Sequence, residues 1–263
     1  MAHDSENGIL VRRNLHSATI YFNNPGRMNA LSLEMWRQLG SQLGALSTDP
    51  DLRCIVLRGT GGKAFASGAD ISEFPNVRAN ADQAKSYAEN MKPALDHLHH
   101  CPLPTLSVIE GVCVGGGLEL AALCDLRICN ESARFGIPIN RIGHVLPYPA
   151  TAALVELIGR SNTLEILLEG RVFGAEEAKA MGLVNRVVPD DAIEDEASKM
   201  IDRIAAGAPI AARLHKKMAA RVLSPTPITQ ADIDEAFSAC DSDDYREGVA
   251  AFIEKRRPVF NGK

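Results

Sequence analysis

Short apolar runs alternate with amphipathic stretches along most of the chain, and this alternation predicts the secondary structure. Residues 54–57 are apolar at every position, which is typical of a strand buried on both faces of a sheet. Other runs of similar length contain β-branched and aromatic side chains. The predicted strands are residues 18–22, 54–57, 105–109, 126–129 and 184–188.

Helical spacing of apolar residues separates these strands. Residues 32–46 place apolar side chains three or four positions apart, and Ser32 is a suitable N-cap for this helix. Residues 81–100 and 118–124 are predicted to form two further helices. Strands that alternate with helices in this way are typical of an α/β fold.

The pattern changes near residue 190, after which the apolar positions follow helical spacing. The helices predicted there are residues 197–206, 210–222 and 228–255. Pro225 and Pro227 break the pattern before the last of them. We therefore divide the chain into a core, residues 1–190, and a helical C-terminal region, residues 191–263.

The composition is that of a globular protein with a mildly acidic surface. The 263 residues include 28 Lys and Arg and 33 Asp and Glu, which gives a formal net charge of −5. This charge disfavours a nucleic-acid-binding protein that works through a broad basic face. No apolar run approaches the roughly 18–20 residues of a membrane span, and the charged residues within positions 1–11 are unlike a signal peptide. We expect a cytoplasmic protein that binds neither nucleic acid nor membrane.

The six cysteines include no Cys-X-X-Cys pair and stand mostly in apolar surroundings. Such cysteines are typical of buried free thiols in a reducing compartment. No pair of Cys or His residues has the spacing of zinc ligands, so the sequence predicts no metal site.

The first glycine-rich segment, residues 59–64, follows a predicted strand and fits the pattern Gly-X-Gly-X-X-Ala. A dinucleotide-binding turn of this type needs a helix directly afterwards, because the helix N-terminus binds the pyrophosphate. Residues 65–68, Phe-Ala-Ser-Gly, are a poor helix start. Leu57 and Ala64 also stand where a P-loop needs Gly and Ser or Thr, so neither nucleotide motif is predicted.

The second glycine-rich segment, residues 115–117, lies between an apolar strand and a helix. Glycines let a ligand approach the backbone closely, and a helix N-terminus offers free N–H groups and partial positive charge. This arrangement suits a developing oxyanion as well as a phosphate. Glu119 lies one helical turn beyond Gly116, where it could transfer a proton at the neighbouring carbon or could merely complement the helix dipole.

Several segments together resemble the crotonase family, which is also called the enoyl-CoA hydratase/isomerase superfamily. Residues 111–125, which include the glycine triplet and Glu119, are similar to the signature of that family. The resemblance covers nearly the whole chain in the order of the family's motifs. The other matching segments are residues 24–32, 63–70, 132–136, 178–184 and 251–258.

The resemblance implies a fold and a shared chemistry. Crotonase-family chains fold as an α/β spiral of ββα units with a helical C-terminal region, and they assemble as trimers or dimers of trimers. Their substrates are acyl-CoA thioesters, so CoA enters as part of the substrate, and neither a metal nor another cofactor is implied. By motif position, the main-chain amides of Ala69 and Gly116 would hold the thioester oxygen as it becomes an enolate, and Glu119 would be the acid/base.

The resemblance also implies where CoA would bind. Phe252 and Lys255 match positions that reach the CoA of a neighbouring subunit, so the C-terminal region would serve oligomerisation. The full set at the family's CoA-binding positions is Ala30, Ser67, Asp70, Ile71, Phe252 and Lys255.

One departure from the family pattern bears on the reaction. Hydratases of this family usually carry a second glutamate four residues after the position of Phe135, and this chain has Ile139 there. Hydration needs a water activated at the β carbon and a proton delivered at the α carbon, and isoleucine can do neither. Ile139 would also dry the substrate pocket, which tends to raise the pKa of a nearby Glu119.

Four functions remain open at this point. We expect first a hydratase-like lyase that uses Glu119 alone. A decarboxylase of malonyl-type thioesters is an alternative, because Pro147 and Tyr148 resemble a Pro-Tyr pair of some family decarboxylases, although two residues further along. An enoyl-CoA isomerase and a non-catalytic acyl-CoA binder are the others. His144 and Tyr148 are candidate auxiliary acids.

Overall fold

The computed structural model describes residues 7–263, so the charged residues used in the signal-peptide argument lie outside the described residues. Its strands are β1 Gly8–Asn14, β2 Ser17–Asn23, β3 Cys54–Gly59, β4 Ala64–Ala66, β5 Thr105–Ile109, β6 Val112–Val114, β7 Leu126–Asn130, β8 Arg134–Gly136, β9 Phe173–Gly174 and β10 Arg186–Val188. Its helices are α1 Leu33–Ser47, α2 Phe74–Val77, α3 Ala81–His99, α4 Gly116–Leu123, α5 Tyr148–Glu169, α6 Ala175–Ala180, α7 Ile193–Ala205, α8 Pro209–Leu223, α9 Gln230–Phe237 and α10 Asp243–Ile253.

The strands form a six-stranded sheet and a four-stranded sheet. The first has the order β1-β2-β3-β5-β7-β10 and is parallel apart from the β1–β2 hairpin. The second has the order β4-β6-β8-β9 and is parallel apart from its β8–β9 pair. The strands follow one another in three pairs: β3 and β4, β5 and β6, and β7 and β8. The first strand of each pair belongs to the six-stranded sheet and the second to the four-stranded sheet, and a helix follows each pair. The chain is therefore a spiral of ββα turns.

The predicted double burial of β3 is confirmed. Ile55 and Leu57 belong to the main apolar core, which lies between the sheets and the helices α1, α3 and α4. Cys54 and Val56 point to the opposite face, because successive side chains of a strand alternate, and they belong to a second cluster.

Helix α7 covers that second cluster. Its residues Ile193, Ala197 and Met200 are buried against the six-stranded sheet. This helix lies in the segment that the sequence pattern assigns to the C-terminal region, yet it packs on the spiral core. In the part of the chain that the structure describes, α8, α9 and α10 contribute no residue to either apolar cluster.

The N-terminus of α1 follows its sequence signal. Ser32 caps α1 as predicted, and its hydroxyl accepts a hydrogen bond of 3.2 Å from the Met35 amide. The prediction of one continuous helix over residues 228–255 is wrong. Ser242 adopts an extended backbone with φ −77° and ψ 155°, and its hydroxyl caps α10 by accepting from the Tyr245 amide. This second N-cap starts a new helix after α9 and a 3₁₀ turn.

The five cysteines before residue 200 are buried and all six are free thiols. Within residues 7–263 we find no helix with the length and apolar character that a membrane crossing requires. The same part of the chain gathers no three His, Cys, Asp or Glu side chains in an arrangement that could hold a metal ion.

Candidate active site

Two turns that follow neighbouring strands of the four-stranded sheet meet at one point. Strand β4 leads into residues 67–70, and β6 leads into Gly115 at the start of α4. Because β4 and β6 pair in parallel, the turns that follow them lie at the same edge of the sheet. Their approach is so close that a Cβ built on Gly68 would lie 3.0 Å from the Gly116 nitrogen.

Backbone hydrogen bonds hold the first turn on both sides of Ala69. The Leu31 amide donates to the Gly68 carbonyl at 2.8 Å, and the Asp70 amide donates to the Leu31 carbonyl at 2.9 Å. Gly68 has φ +97°, a conformation that glycine adopts without steric cost. Among residues 7–263, no group accepts a hydrogen bond from the Ala69 amide, so this N–H is fixed in position and available to a ligand.

The second turn supplies another available amide. Gly116 is the first residue of α4, so its N–H has no acceptor within the helix, and no other described residue accepts from it. Gly117 lets α4 pack directly on β4, because a Cβ there would lie 2.2 Å from the Ala66 carbonyl oxygen. The close packing of α4 keeps the Gly116 amide beside Ala69.

Ala69, Gly116 and Glu119 line one cavity of about 580 Å³, a size suited to a small ligand. Most of the wall is apolar and comes from helices α1 and α3 and from residues 137–150. The apolar lining residues include Trp36, Phe74, Met91, Leu95, Val114, Ile137, Ile139, Ile142, Leu146 and Ala150.

Glu119 is buried in the wall of this cavity, with 7% of its surface exposed. Burial penalises the charged carboxylate and raises the pKa of Glu119 to about 7, while the positive charge of Arg78 acts in the opposite direction. A carboxyl with a pKa near neutral pH can give or take a proton under ordinary conditions. The predicted effect of a dry pocket on Glu119 therefore matches the direction of its pKa.

Ile139 lies in a 3₁₀ turn, Pro138–Ile142, and its half-buried side chain lines the cavity. The Ile139 carbonyl accepts a hydrogen bond of 3.0 Å from the His144 amide, which brings the imidazole of His144 to the same wall. Burial, followed by the positive charge of Arg78, lowers the pKa of His144. His144 is thus a neutral polar group on a wall that is otherwise mostly apolar.

Arg78 lines the cavity as well, and sequence reasoning missed it. It follows the short helix α2, and its guanidinium carbon lies 5.0 Å from the centre of the Phe74 ring and 5.1 Å from that of Tyr87. Its Nη2 lies 2.5 Å from Nε2 of His144. The sequence around Arg78 reads as an exposed loop, and neither spacing nor periodicity marks it.

Four other predicted site residues lie at or beside the first turn, and two of them line the cavity. Ser67 and Ile71 line the cavity. Ala30 is buried beside this turn but does not line the cavity. The Asp70 carboxylate accepts from Arg27 at 2.6 Å and caps the following 3₁₀ turn.

Three predicted residues lie away from the cavity in the single chain. Tyr148 begins α5 with 92% of its surface exposed, so its hydroxyl is not brought to Glu119, although the flanking Pro147 and Pro149 line the cavity. Phe252 is 85% exposed at the end of α10, and Lys255 follows it with φ +56°. These two residues lie outside the wall that holds Glu119.

Comparison with known proteins gives consistent results along the whole chain. Residues 13–263 match the family model for enoyl-CoA hydratase/isomerase. The chain is 34% identical to an (E)-benzylidenesuccinyl-CoA hydratase of Thauera aromatica over 94% of this chain and 96% of that one. It is 31% identical to a crotonyl-CoA hydratase of Syntrophomonas wolfei over 97% of this chain and 98% of that one.

Solved structures give the same result for the fold. The crystal structure of an enoyl-CoA hydratase/carnitine racemase from Magnetospirillum magneticum superposes with a TM-score of 0.96 at 49% identity, covering 98% of this chain and 97% of that one. The α/β fold predicted from the resemblance is therefore confirmed as the crotonase fold. The chain belongs to the enoyl-CoA hydratase/isomerase family.

Proposed function

We propose that the protein adds water to the double bond of an enoyl-CoA thioester, with Glu119 as its single acid/base. The thioester oxygen would accept hydrogen bonds from the amides of Ala69 and Gly116. Each such donor stabilises a developing oxyanion by roughly 3–4 kcal/mol in comparable sites. Both amides are free of other acceptors in residues 7–263, which supports this role.

One carboxyl suffices for both proton transfers. The Glu119 carboxylate takes a proton from water as the water oxygen bonds to the β carbon. The electron pair of the double bond then joins the α carbon to the thioester carbon, and the carbonyl pair moves onto the thioester oxygen to give an enolate. The protonated Glu119 then returns the proton to the α carbon, and the thioester carbonyl re-forms. The product carries the atoms of one water, and Glu119 ends in its starting state.

The burial of Glu119 carries this proposal. Because its pKa is about 7, Glu119 can accept or release a proton near neutral pH at a small cost in free energy. Glu119 is the carboxylate buried in the cavity wall, whereas Glu89, on the same wall, is exposed. Because Ile139 lines the same cavity where a second glutamate would be expected, Glu119 would carry out both steps.

Hydration is favoured over the alternative reactions by two further observations. The relatives from Thauera aromatica and Syntrophomonas wolfei are both named as hydratases. Tyr148 is exposed and does not line the cavity, so the Pro-Tyr pair that resembles that of a decarboxylase supplies no tyrosine side chain to the cavity.

Replacement of Glu119 by Gln tests the proposal. We expect Glu119→Gln to lower the hydration of crotonyl-CoA by about 10²-fold or more, because the amide cannot take up a proton from water. The loss of the enoyl thioester absorbance measures the rate. Glu89→Gln is the matched control, since it removes an exposed carboxylate from the same cavity, and its rate should stay near that of the wild type. Unchanged turnover in Glu119→Gln would remove this residue from the mechanism.

A substrate panel separates the remaining functions. Methylmalonyl-CoA tests decarboxylation, and a 3-enoyl-CoA tests isomerisation. Tight binding of all these thioesters without turnover of any would identify a non-catalytic acyl-CoA binder and would contradict the proposal.

The substitution Ile139→Glu tests the departure from the two-glutamate pattern. If Ile139 limits hydration by removing the second carboxylate, Ile139→Glu should raise the turnover of crotonyl-CoA. Ile139→Gln is the control, because it introduces a polar side chain of the same length that cannot act as a base. An equal change in both variants would assign the effect to polarity alone.

The same proposal includes the assembly and the binding of CoA. The chain would form a trimer or a dimer of trimers, in which residues 191–263 supply much of the interface. CoA would bind as part of the substrate, near Ala30 and the turn from Ser67 to Ile71. Phe252 and Lys255 would reach the CoA of a neighbouring subunit. The exposure of the apolar Phe252 in the single chain supports its burial by a partner or a ligand.

A further inference from the structure

Arg78 places a positive charge in the candidate acyl cavity without a matching carboxylate. The guanidinium forms no ion pair within residues 7–263, and His144 is the acceptor of its side-chain hydrogen bonds there. Glu119 is near enough to interact with it electrostatically, but the two are not in ion-pair contact. Of its five N–H donors, the one directed at His144 is the only one with an acceptor among residues 7–263, and Arg78 lines the cavity.

The surrounding side chains hold Arg78 in one position. Its guanidinium lies over the rings of Phe74 and Tyr87, at 5.0 and 5.1 Å from their centres, which is the range of cation–π contacts. A guanidinium held in this way loses little further freedom when it binds a ligand.

His144 holds the Arg78 guanidinium through a hydrogen bond. Arginine has only donors, so Nε2 of His144 must accept from Arg78, and the imidazole is neutral with its proton on Nδ1. The pair therefore carries one net positive charge. His144 cannot neutralise Arg78, and it orients the guanidinium.

The other described charged groups that line the cavity do not form an ion pair with Arg78. Lys92 pairs with Asp96 on α3, and Lys85 lies 3.8 Å from Asp82 on the same helix. Glu89 lines the cavity but is exposed. Within residues 7–263 no carboxylate pairs with the half-buried guanidinium of Arg78, and a ligand that supplies a carboxylate would offset the cost of removing it from water.

We propose that Arg78, oriented by His144, binds a carboxylate carried by the acyl group, so that the substrate is the CoA monothioester of a dicarboxylic acid. This inference rests on the proposed acyl-CoA function of the cavity and names the substrate class. A carboxylate matches the planar fork of the guanidinium, which can donate two parallel hydrogen bonds to it. An uncharged acyl chain in the same place would cover the guanidinium and leave its donors unpaired.

Equilibrium binding of saturated thioesters tests this inference without turnover. Succinyl-, glutaryl- and adipyl-CoA are compared with butyryl-, pentanoyl- and hexanoyl-CoA by calorimetry, so that each pair has the same number of acyl carbons. We expect the wild type to prefer the dicarboxylic member by about tenfold or more at one chain length at least, as is usual for a charge-assisted hydrogen bond. Equal or weaker binding of the dicarboxylic member at every length would overturn the inference.

Variants assign the preference to its residue. In Arg78→Met the ratio of the two dissociation constants should fall to about one, and Arg78→Lys should retain part of the preference because it keeps the charge without the fork. Arg141→Met is the matched control, since Arg141 is an exposed cation on the neighbouring 3₁₀ turn, and it should keep the wild-type ratio. A preference that persists in Arg78→Met would assign the carboxylate to another group.

Turnover separates this inference from the proposed function. Glutaconyl-CoA and crotonyl-CoA are offered to the wild type as the charged and uncharged enoyl thioesters. If neither is hydrated, the hydratase proposal fails, while the binding ratio still decides the role of Arg78. If both are hydrated without a dicarboxylic preference in binding, the hydratase proposal stands and the inference fails.

Discussion

The chemistry of the candidate site depends on where single charged side chains are buried. Glu119 stands in an apolar wall, and that burial alone moves its pKa toward neutral pH. Arg78 moderates the effect, because its positive charge favours the ionised carboxylate. A buried carboxyl and a half-buried cation thus together set the proton affinity of the site.

The activity should depend on pH in a way that reports Glu119. In the proposed mechanism the ionised carboxylate accepts the proton of water, so kcat/KM for an enoyl-CoA should rise with pH to a plateau, with a midpoint near pH 7. Arg78→Met should move the midpoint upward, because the nearby positive charge is lost. Arg141→Met should leave it in place. A flat profile from about pH 5.5 to 8.5 would contradict this assignment.

The stability of the fold should depend on the same group. The folded state holds the Glu119 proton up to a pKa of about 7, whereas the unfolded chain releases it near the ordinary value of 4.5. The free energy of unfolding should therefore fall as pH rises from the lower value to the higher one, by up to about 3 kcal/mol. Urea unfolding of wild type and Glu119→Gln at pH 5 and pH 8 measures this. A stability difference between the two proteins that does not change with pH would contradict the burial of an ionisable Glu119.

Glu119 and Arg78 also differ in how far sequence could predict them. Glu119 follows a glycine triplet at helical spacing, a local pattern with a physical meaning. Arg78 acquires its surroundings from Phe74, Tyr87 and His144, which the fold brings together from two helices and a loop. Such a site has no periodicity of its own, so the sequence pattern could not show it.

Among the elements, long and regular patterns predicted the structure best. The strands β3, β5 and β7 and the helices α1 and α3 follow apolar runs or helical spacing, and their positions were predicted closely. The strands β4, β6 and β8 have three residues each, too few for a period to appear. Helix α5 was missed, because its apolar residues do not form one stripe and Gly159, with φ 76° and ψ 162°, interrupts it.

The contact between α4 and β4 gives a prediction for an element. Gly117→Ala should destabilise the protein by about 1–3 kcal/mol, because the added methyl group would meet the Ala66 carbonyl and push α4 away from the sheet. Enoyl-CoA turnover should fall with it, since the Gly116 amide would move from Ala69. Gly26→Ala is the control, because a Cβ there has no atom within 4 Å. Thermal unfolding and kinetic assays compare the two variants, and equal behaviour would contradict the tight packing.

In the whole molecule, the spiral of ββα turns and the C-terminal helices present different surfaces. The spiral buries its apolar side chains in two clusters, one on each side of the six-stranded sheet. The last helices instead leave large apolar side chains exposed in the single chain, among them Phe237, Phe252 and Ile253. Such a surface is typical of a region that another subunit covers.

A charged substitution on this surface tests the proposed assembly. Phe252→Glu should shift the native mass from a trimer or hexamer toward a monomer, because burial of a carboxylate at an interface is costly. Light scattering after size-exclusion chromatography measures the mass. Glu254→Gln is the control, since it changes an exposed polar residue of the same segment. A monomeric wild type would contradict the proposal directly.

The two amides at the meeting of β4 and α4 belong to the main chain, and this has a consequence for how the protein can change. A substitution elsewhere in the wall alters which acyl group fits but cannot delete an N–H of Ala69 or Gly116. Under the proposed function, substitutions that change the acyl specificity therefore leave the groups that activate the thioester in place. Laboratory selection for new acyl groups should accordingly accumulate changes around residues 137–150 and on α3, and leave the two glycine-rich turns intact.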